Sequence, residues 1–172
     1  PSNLENYLAR HGLPASAVSA IMPVQTQRGC CYSCHFCSKN YGQRLFRNSV
    51  ARAVDHLDYL HEQYGYNHFK IIDELFNLPQ QWVFDFCQEL QKRGRRYFLW
   101  ASGNRVDAIT EEMADILAKT GFYQISVGIE SFNQSILDEM NKKLKAEDLI
   151  RGLKILKRYN LLSSRENVLQ FG

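Results

Sequence analysis

No stretch of this 172-residue sequence stays apolar long enough to cross a bilayer, and none is of low complexity or repeated. Membrane spans, collagen-like chains and disordered chains are thereby excluded. Proline is sparse, with four residues. Acid is nearly absent from the first fifty residues, where Glu5 stands against five Lys/Arg, while the remainder is close to balance. The net charge of +3 is too small to make nucleic acid the default partner. Cysteine is scarce except in one place. Four of the five lie at Cys30, Cys31, Cys34 and Cys37, and Cys87 stands alone. Secreted scaffolds spread their cysteines to staple loops. A tight cluster without a signal-peptide-like leader reads instead as a metal site in a reducing compartment, so a cytoplasmic protein is expected. The start at Pro1 and the apolar run ending at Gly172 point to a piece of a longer chain.

What is present is an alternation of strand and helix periods. A short amphipathic lead at Leu4, Tyr7 and Leu8 ends at Gly12 and Pro14, so residues 1–19 read as a linker or cap and 20–172 as the core domain. Strands are expected at Ala20–Val24, Phe69–Ile72, Phe98–Ala101, Ile125–Val127 and Val168–Phe171. Helices between them carry apolar faces at Val50/Val54/Leu57/Leu60/Tyr64, Val83/Phe86/Cys87/Leu90, Met113/Ile116/Leu117 and Leu149/Leu153/Leu156. Ser49, Pro79 and Thr110 suit helix starts, and Gly65, Gly94 and Gly121 suit helix ends. Repeated βα units imply a parallel sheet, either doubly wound or curled into a barrel. The gap between the first strand and the Val50 helix reads as one long structureless loop holding every clustered cysteine, and loops of that length are usually functional.

In such folds chemistry collects beyond the carboxyl ends of the strands. Those ends lead into Arg28, Gly29 and the cysteine loop; Asp73 and Glu74; Ser102, Gly103, Asn104 and Arg105; and Ser126, Gly128, Glu130 and Ser131. Each also has a plainer reading: helix caps at Asp73 or Ser131, buried ion pairs at Glu130 and Arg105, turns at Gly103 and Gly128. The loop spacing C-x3-C-x2-C at Cys30, Cys34 and Cys37 suits a cubane cluster held at three corners, with one iron left open for substrate chemistry. Zinc is the rival and would need Cys31 or His35 as a fourth ligand, giving a binding module with a structural metal. Cys87, on an apolar helix face, reads as a buried structural thiol.

The stretch RGCCYSCHFC resembles the cluster loop of radical S-adenosylmethionine enzymes, with Phe36 at the aromatic place before the last cysteine. The resemblance continues through Ser49 and its helix, IIDELF, ISVGIES and LDEMNK, and covers most of residues 20–160. Its wording is closest to the class that often carries a cobalamin-binding domain ahead of the radical domain, with methylthiotransferase-like relatives nearby. It implies a partial (β/α) barrel with about five parallel strands of an expected six. It also implies a four-iron four-sulfur cluster on Cys30, Cys34 and Cys37, whose open iron chelates S-adenosylmethionine. Reductive cleavage would give a 5′-deoxyadenosyl radical that abstracts hydrogen from an unidentified substrate, fed by an electron donor such as flavodoxin or ferredoxin. Dedicated methyl or methylthio transfer is the alternative within the superfamily. Phe36 would border the adenine, Asp73 or Glu74 would meet the methionine amino group, and Glu130 with Ser126 would meet the ribose. Two departures stand out: Cys31 replaces the usual proline, and IIDE replaces the more common Gly-Gly-Glu.

Overall fold

The computed structural model describes residues 2–38 and 41–162. Ser2 accepts from the Glu5 N–H, and the Glu5 carboxylate reaches back to the Ser2 N–H; this reciprocal pair starts α1 (Asn3–Arg10). A single 3-10 turn at Ala15–Ala17 leads into β1 (Met22–Val24). Ser49 caps α2 (Val50–Tyr64) through the Arg52 N–H, and Gly65 ends it at φ 73°, where a residue with a Cβ would be strained. Then come β4 (His68–Ile71), α3 (Gln80–Lys92) behind Pro79, β5 (Phe98–Asn104), α4 (Glu111–Lys119) capped by Thr110, and β6 (Phe122–Val127). The chain continues through α5 (Gln134–Glu139), a single short helix, and α6 (Ala146–Arg158).

The four main strands form one parallel sheet in the order β1-β4-β5-β6. Their alternating side chains give the sheet two unlike faces. On one, Val24, Phe69, Ile71, Leu99, Ala101 and Ile125 pack against Val54 and Leu57 of α2, Phe86 and Leu90 of α3, Met113 and Leu117 of α4, and Leu156 of α6. On the other face the register places Pro23, Lys70, Trp100 and Gln124 in a row. The amino end of this second face is covered: Leu8 of α1 packs with Phe98 and Tyr123, joined by Leu4, Tyr7 and part of Trp100, and Asn3 donates to the Tyr123 carbonyl.

Two expectations need correction. The cysteine segment is not structureless, because β2 (Gln27–Arg28) and β3 (Phe46–Arg47) pair antiparallel and close its base. Strands of two residues are too short to leave a period in the sequence. The strands expected at Phe98–Ala101 and Ile125–Val127 are longer: the first runs on through the polar residues to Asn104, and the second already begins at the buried Phe122, directly after Gly121. The fifth strand, Val168–Phe171, lies outside the described residues.

Candidate functional site

The carboxyl edge of the sheet is assembled around the cysteine segment. Gly29 sits at φ 84° with its Cα so near the Arg44 carbonyl that a Cβ would come within 2.1 Å of the oxygen. Only glycine lets the two limbs of the segment meet there. Asp73, just past β4, is buried and accepts from the Thr26 N–H at 2.7 Å and from the Thr26 hydroxyl. It is thus a brace between β4 and the β2–β3 hairpin, not a helix cap. Burial holds its carboxyl above the usual range, and the hydrogen bonds from Thr26 and the Gln27 backbone pull it only partly back.

Glu74 is left differently. Its Oε2 is buried without a hydrogen-bond partner, and among the described residues the only other such side-chain oxygen is Gln27 Oε1. Gln27 Nε2 donates to the Phe76 carbonyl, which ties the hairpin to the same segment. Gly103 explains how that segment reaches β5, since a Cβ there would lie 1.9 Å from the Asp73 carbonyl oxygen. An orphaned carboxylate oxygen is costly unless something donates to it.

The thiols of Cys31, Cys34 and Cys37 all lie close enough to Cys30 to act on it electrostatically. Burial pushes the Cys30 thiol up, the Tyr32 backbone N–H lowers it, and the neighbouring thiols push it up again as like charges. Among the described residues no three His, Cys, Asp or Glu side chains are grouped so as to hold a single ion. Cys87 is fully buried and pushed up to about 12 by that burial, the environment of a structural thiol.

The turn after α5 clamps the loop from the far side. Asn141 Nδ2 donates to the Ser33 carbonyl and hydroxyl at 2.9 and 3.0 Å, the His35 N–H donates to the Met140 carbonyl, and His35 Nδ1 bonds the Glu139 carbonyl. Arg105 anchors this turn in place. Its guanidinium donates to the Lys142 and Lys143 carbonyls, pairs with Asp107, and lies 3.9 Å from the centre of the Tyr32 ring. Lys142 in turn bonds Glu130 Oε1 at 2.8 Å and faces the exposed Phe36 ring at 5.4 Å. Glu130 adopts φ 61°, rare for a non-glycine residue, in a tight turn closed by the Ser131 N–H to the Ile129 carbonyl.

The residues expected to act together therefore fall into three places. Phe36 and Glu130 meet through Lys142, and the loop that carries Cys30, Cys34 and Cys37 is held by the turn at Glu139–Asn141. Asp73 and Glu74 sit at the base of the cysteine segment, where Asp73 holds Thr26 and Gln27 ties the hairpin to Phe76. Ser126 belongs lower on the sheet face, where its hydroxyl accepts from the Trp100 indole at 2.9 Å. The buried ion pair of Arg105 is as expected, whereas the clamp at Glu139–Lys143 and the hold of Arg105 on its carbonyls are not legible in the sequence. LDEMNK was a signal, but one without a mechanism until its contacts with the loop were known.

Residues 24–169 match the family model of the Radical SAM superfamily, and the chain belongs to it. The chain is 29% identical over 140 residues to an uncharacterized methyltransferase of Pyrococcus horikoshii, with 80% of this chain and 30% of that protein covered. It is 33% identical over 148 residues to the cytidylyl-2-hydroxyethylphosphonate methyltransferase of Streptomyces wedmorensis, covering 82% and 27%. Among solved structures it resembles the cobalamin-dependent S-adenosylmethionine radical enzyme OxsB with aqua-cobalamin and S-adenosylmethionine bound, at 25% identity and a TM-score of 0.70, covering 81% of this chain and 22% of that one. The chain thus spans less than a third of the curated relatives' length. Family membership removes the footing of the zinc-module alternative.

Proposed function

We propose that residues 20–172 form the core of a radical S-adenosylmethionine enzyme, with residues 1–19 as a cap at its amino end. The observation that carries this reading is the pairing of a three-thiol loop at the carboxyl edge of a parallel sheet with an orphaned carboxylate oxygen on Glu74 nearby in the fold. Three soft thiolates fit a four-iron four-sulfur cluster, with Cys30, Cys34 and Cys37 as its holders. Bound together, cluster and S-adenosylmethionine supply a 5′-deoxyadenosyl radical.

The chain's own residues bind and orient. Glu74 offers its free oxygen to the methionine ammonium, a charge-assisted contact. Asp73 is already engaged by Thr26 and holds the hairpin under the loop. Among the described residues Glu130 meets Lys142 through Oε1 alone, which leaves its second oxygen for ribose hydroxyls, since a carboxylate accepts at about four sites. Ser126 accepts from Trp100 and keeps its own proton to donate from the sheet face toward a ribose hydroxyl. Phe36, half exposed, is free to cover an adenine.

Methyl transfer is the second reading, favoured by the methyltransferase relatives and by the cobalamin in the OxsB structure. It requires a cobalamin domain beyond this segment. A cytoplasmic setting and a flavodoxin or ferredoxin as electron donor accompany either reading; among the described residues no helix is long and apolar enough to cross a membrane.

Anaerobic reconstitution tests the core proposal. About four irons should bind per chain, as a cubane requires. Alanine at Cys30, Cys34 or Cys37 should abolish this while Cys87→Ala leaves it intact, and the reduced protein should release 5′-deoxyadenosine from S-adenosylmethionine. Stoichiometric zinc in protein made with ample iron would defeat the reading.

A further inference from the structure

The open face of the sheet carries a cation that the proposed function has not used. Lys70 lies in the middle of β4, directly across from Trp100 in the register, with Gln124 next in the row. Its ammonium stands 3.7 Å from the centre of the Trp100 ring. The ring cannot turn away freely, because its Nε1–H is bonded to the Ser126 hydroxyl. Below this row the face is closed by α1 on Phe98 and Tyr123, and the carboxyl ends of β4 and β1 lead on into the Glu74 segment and the cysteine loop.

Among the described residues the other sheltered cations each have a carboxylate. Arg93 meets Asp55, Asp58 and Glu89; Arg105 meets Asp107; Lys142 meets Glu130. Lys70 is only partly exposed, yet among the described residues it forms neither an ion pair nor a side-chain hydrogen bond. An aromatic face attracts a cation but accepts none of its three N–H donors in the way an oxyanion does.

We propose that Lys70, oriented by Trp100, is the seat for an oxyanion of the substrate, a carboxylate or a phosphoryl group. The placement suits a reaction at the carboxyl edge of the sheet, since an anchored anion beneath the cluster loop would present the rest of the molecule upward toward it. The selectivity would come from pairing a charge that the protein itself leaves unpaired, so a neutral analogue of the same shape would bind poorly. This inference rests on the reading of the chain as a radical S-adenosylmethionine core.

Its test is calorimetric titration of the anaerobic, cluster-loaded full-length protein with three probes: benzoate, phenylphosphonate and neutral benzamide. At least one anion should bind saturably, and the stronger of the two identifies the group. Benzamide should bind at least about tenfold more weakly, the scale of a lost charge-assisted hydrogen bond. Lys70→Met should lose about tenfold or more in anion affinity and Lys70→Arg should recover most of it, with iron content and S-adenosylmethionine affinity unchanged in both. Benzamide binding as well as the anions, or neither anion binding the unaltered protein, overturns the proposal without any variant, so a poorly folding Lys70→Met cannot hide failure. Undiminished anion binding in a folded Lys70→Met overturns it as well. Failure of the unaltered protein to hold iron would instead defeat the proposed function.

Discussion

The two faces of the sheet are made from alternate residues of the same four strands, yet they do different work. Phe69, Ile71, Leu99, Ala101 and Ile125 point toward the helices and are wholly buried. Lys70, Trp100, Gln124 and Ser126 point the other way and are polar or aromatic. The first face contributes most of the apolar burial that stabilises the fold. The second is released from that task, and above it the rim carries the thiols, the unpartnered Glu74 oxygen and the left-handed Glu130. Groups that would be costly in the core are concentrated where packing does not forbid them.

Breaking the helix-facing side should have the largest effect. Phe86 is fully buried, stacked on Trp82 and edge-on to Phe76. Phe86→Ala should therefore cost about 3–5 kcal/mol in urea denaturation, with iron binding lost only because the sheet beneath it loosens.

Asp73 joins the two regions. Asp73→Ala leaves the Thr26 N–H and hydroxyl unpaired in a buried place, at a cost of about 1–3 kcal/mol. The hairpin base should loosen, so iron should be retained less firmly than in the parent even where the denaturation midpoint moves modestly. Iron retention on gel filtration, compared with thermal melting, separates the two effects.

Glu74→Gln should behave in the opposite way. The substitution removes no protein hydrogen bond from Oε2, so stability should hold, while S-adenosylmethionine affinity falls roughly tenfold to a hundredfold. If Asp73→Asn weakens cosubstrate binding and Glu74→Gln does not, the division of labour between the two carboxylates is reversed.

The smallest effect concerns the floor of the open face. His68 bonds the Tyr123 hydroxyl at 2.9 Å, and burial holds its imidazole below the ordinary value of 6.5, only partly offset by the Ser19 carbonyl. A depressed folded value means that the unfolded chain takes up the proton first. The stabilising difference is present above 6.5 and is lost as pH falls through the folded value. His68→Phe should flatten this part of the stability profile below pH 6.5, measured by denaturation at a series of pH values against the parent. An unchanged slope would show that the other histidines carry it.

Much of this comparison could be read from residue order. The strand–helix alternation, the caps at Ser49 and Thr110, the left-handed stop at Gly65 and the burial of Cys87 rest on neighbours a few positions away, and period and propensity report such contacts. The thiol spacing was legible for the same reason, since three ligands within eight residues need no tertiary contact to be recognised together. What the sequence could not divide was Asp73 from Glu74. They are adjacent, chemically alike and on one motif, and only the approach of Thr26, 47 residues earlier, engages the first and leaves the second open. The same holds for Asn141 on Ser33, 108 residues apart, and for Lys70 against Trp100. Local periodicity fixes which face a side chain takes, but its partner is set by strand order and register, and these exist only once the chain has closed on itself.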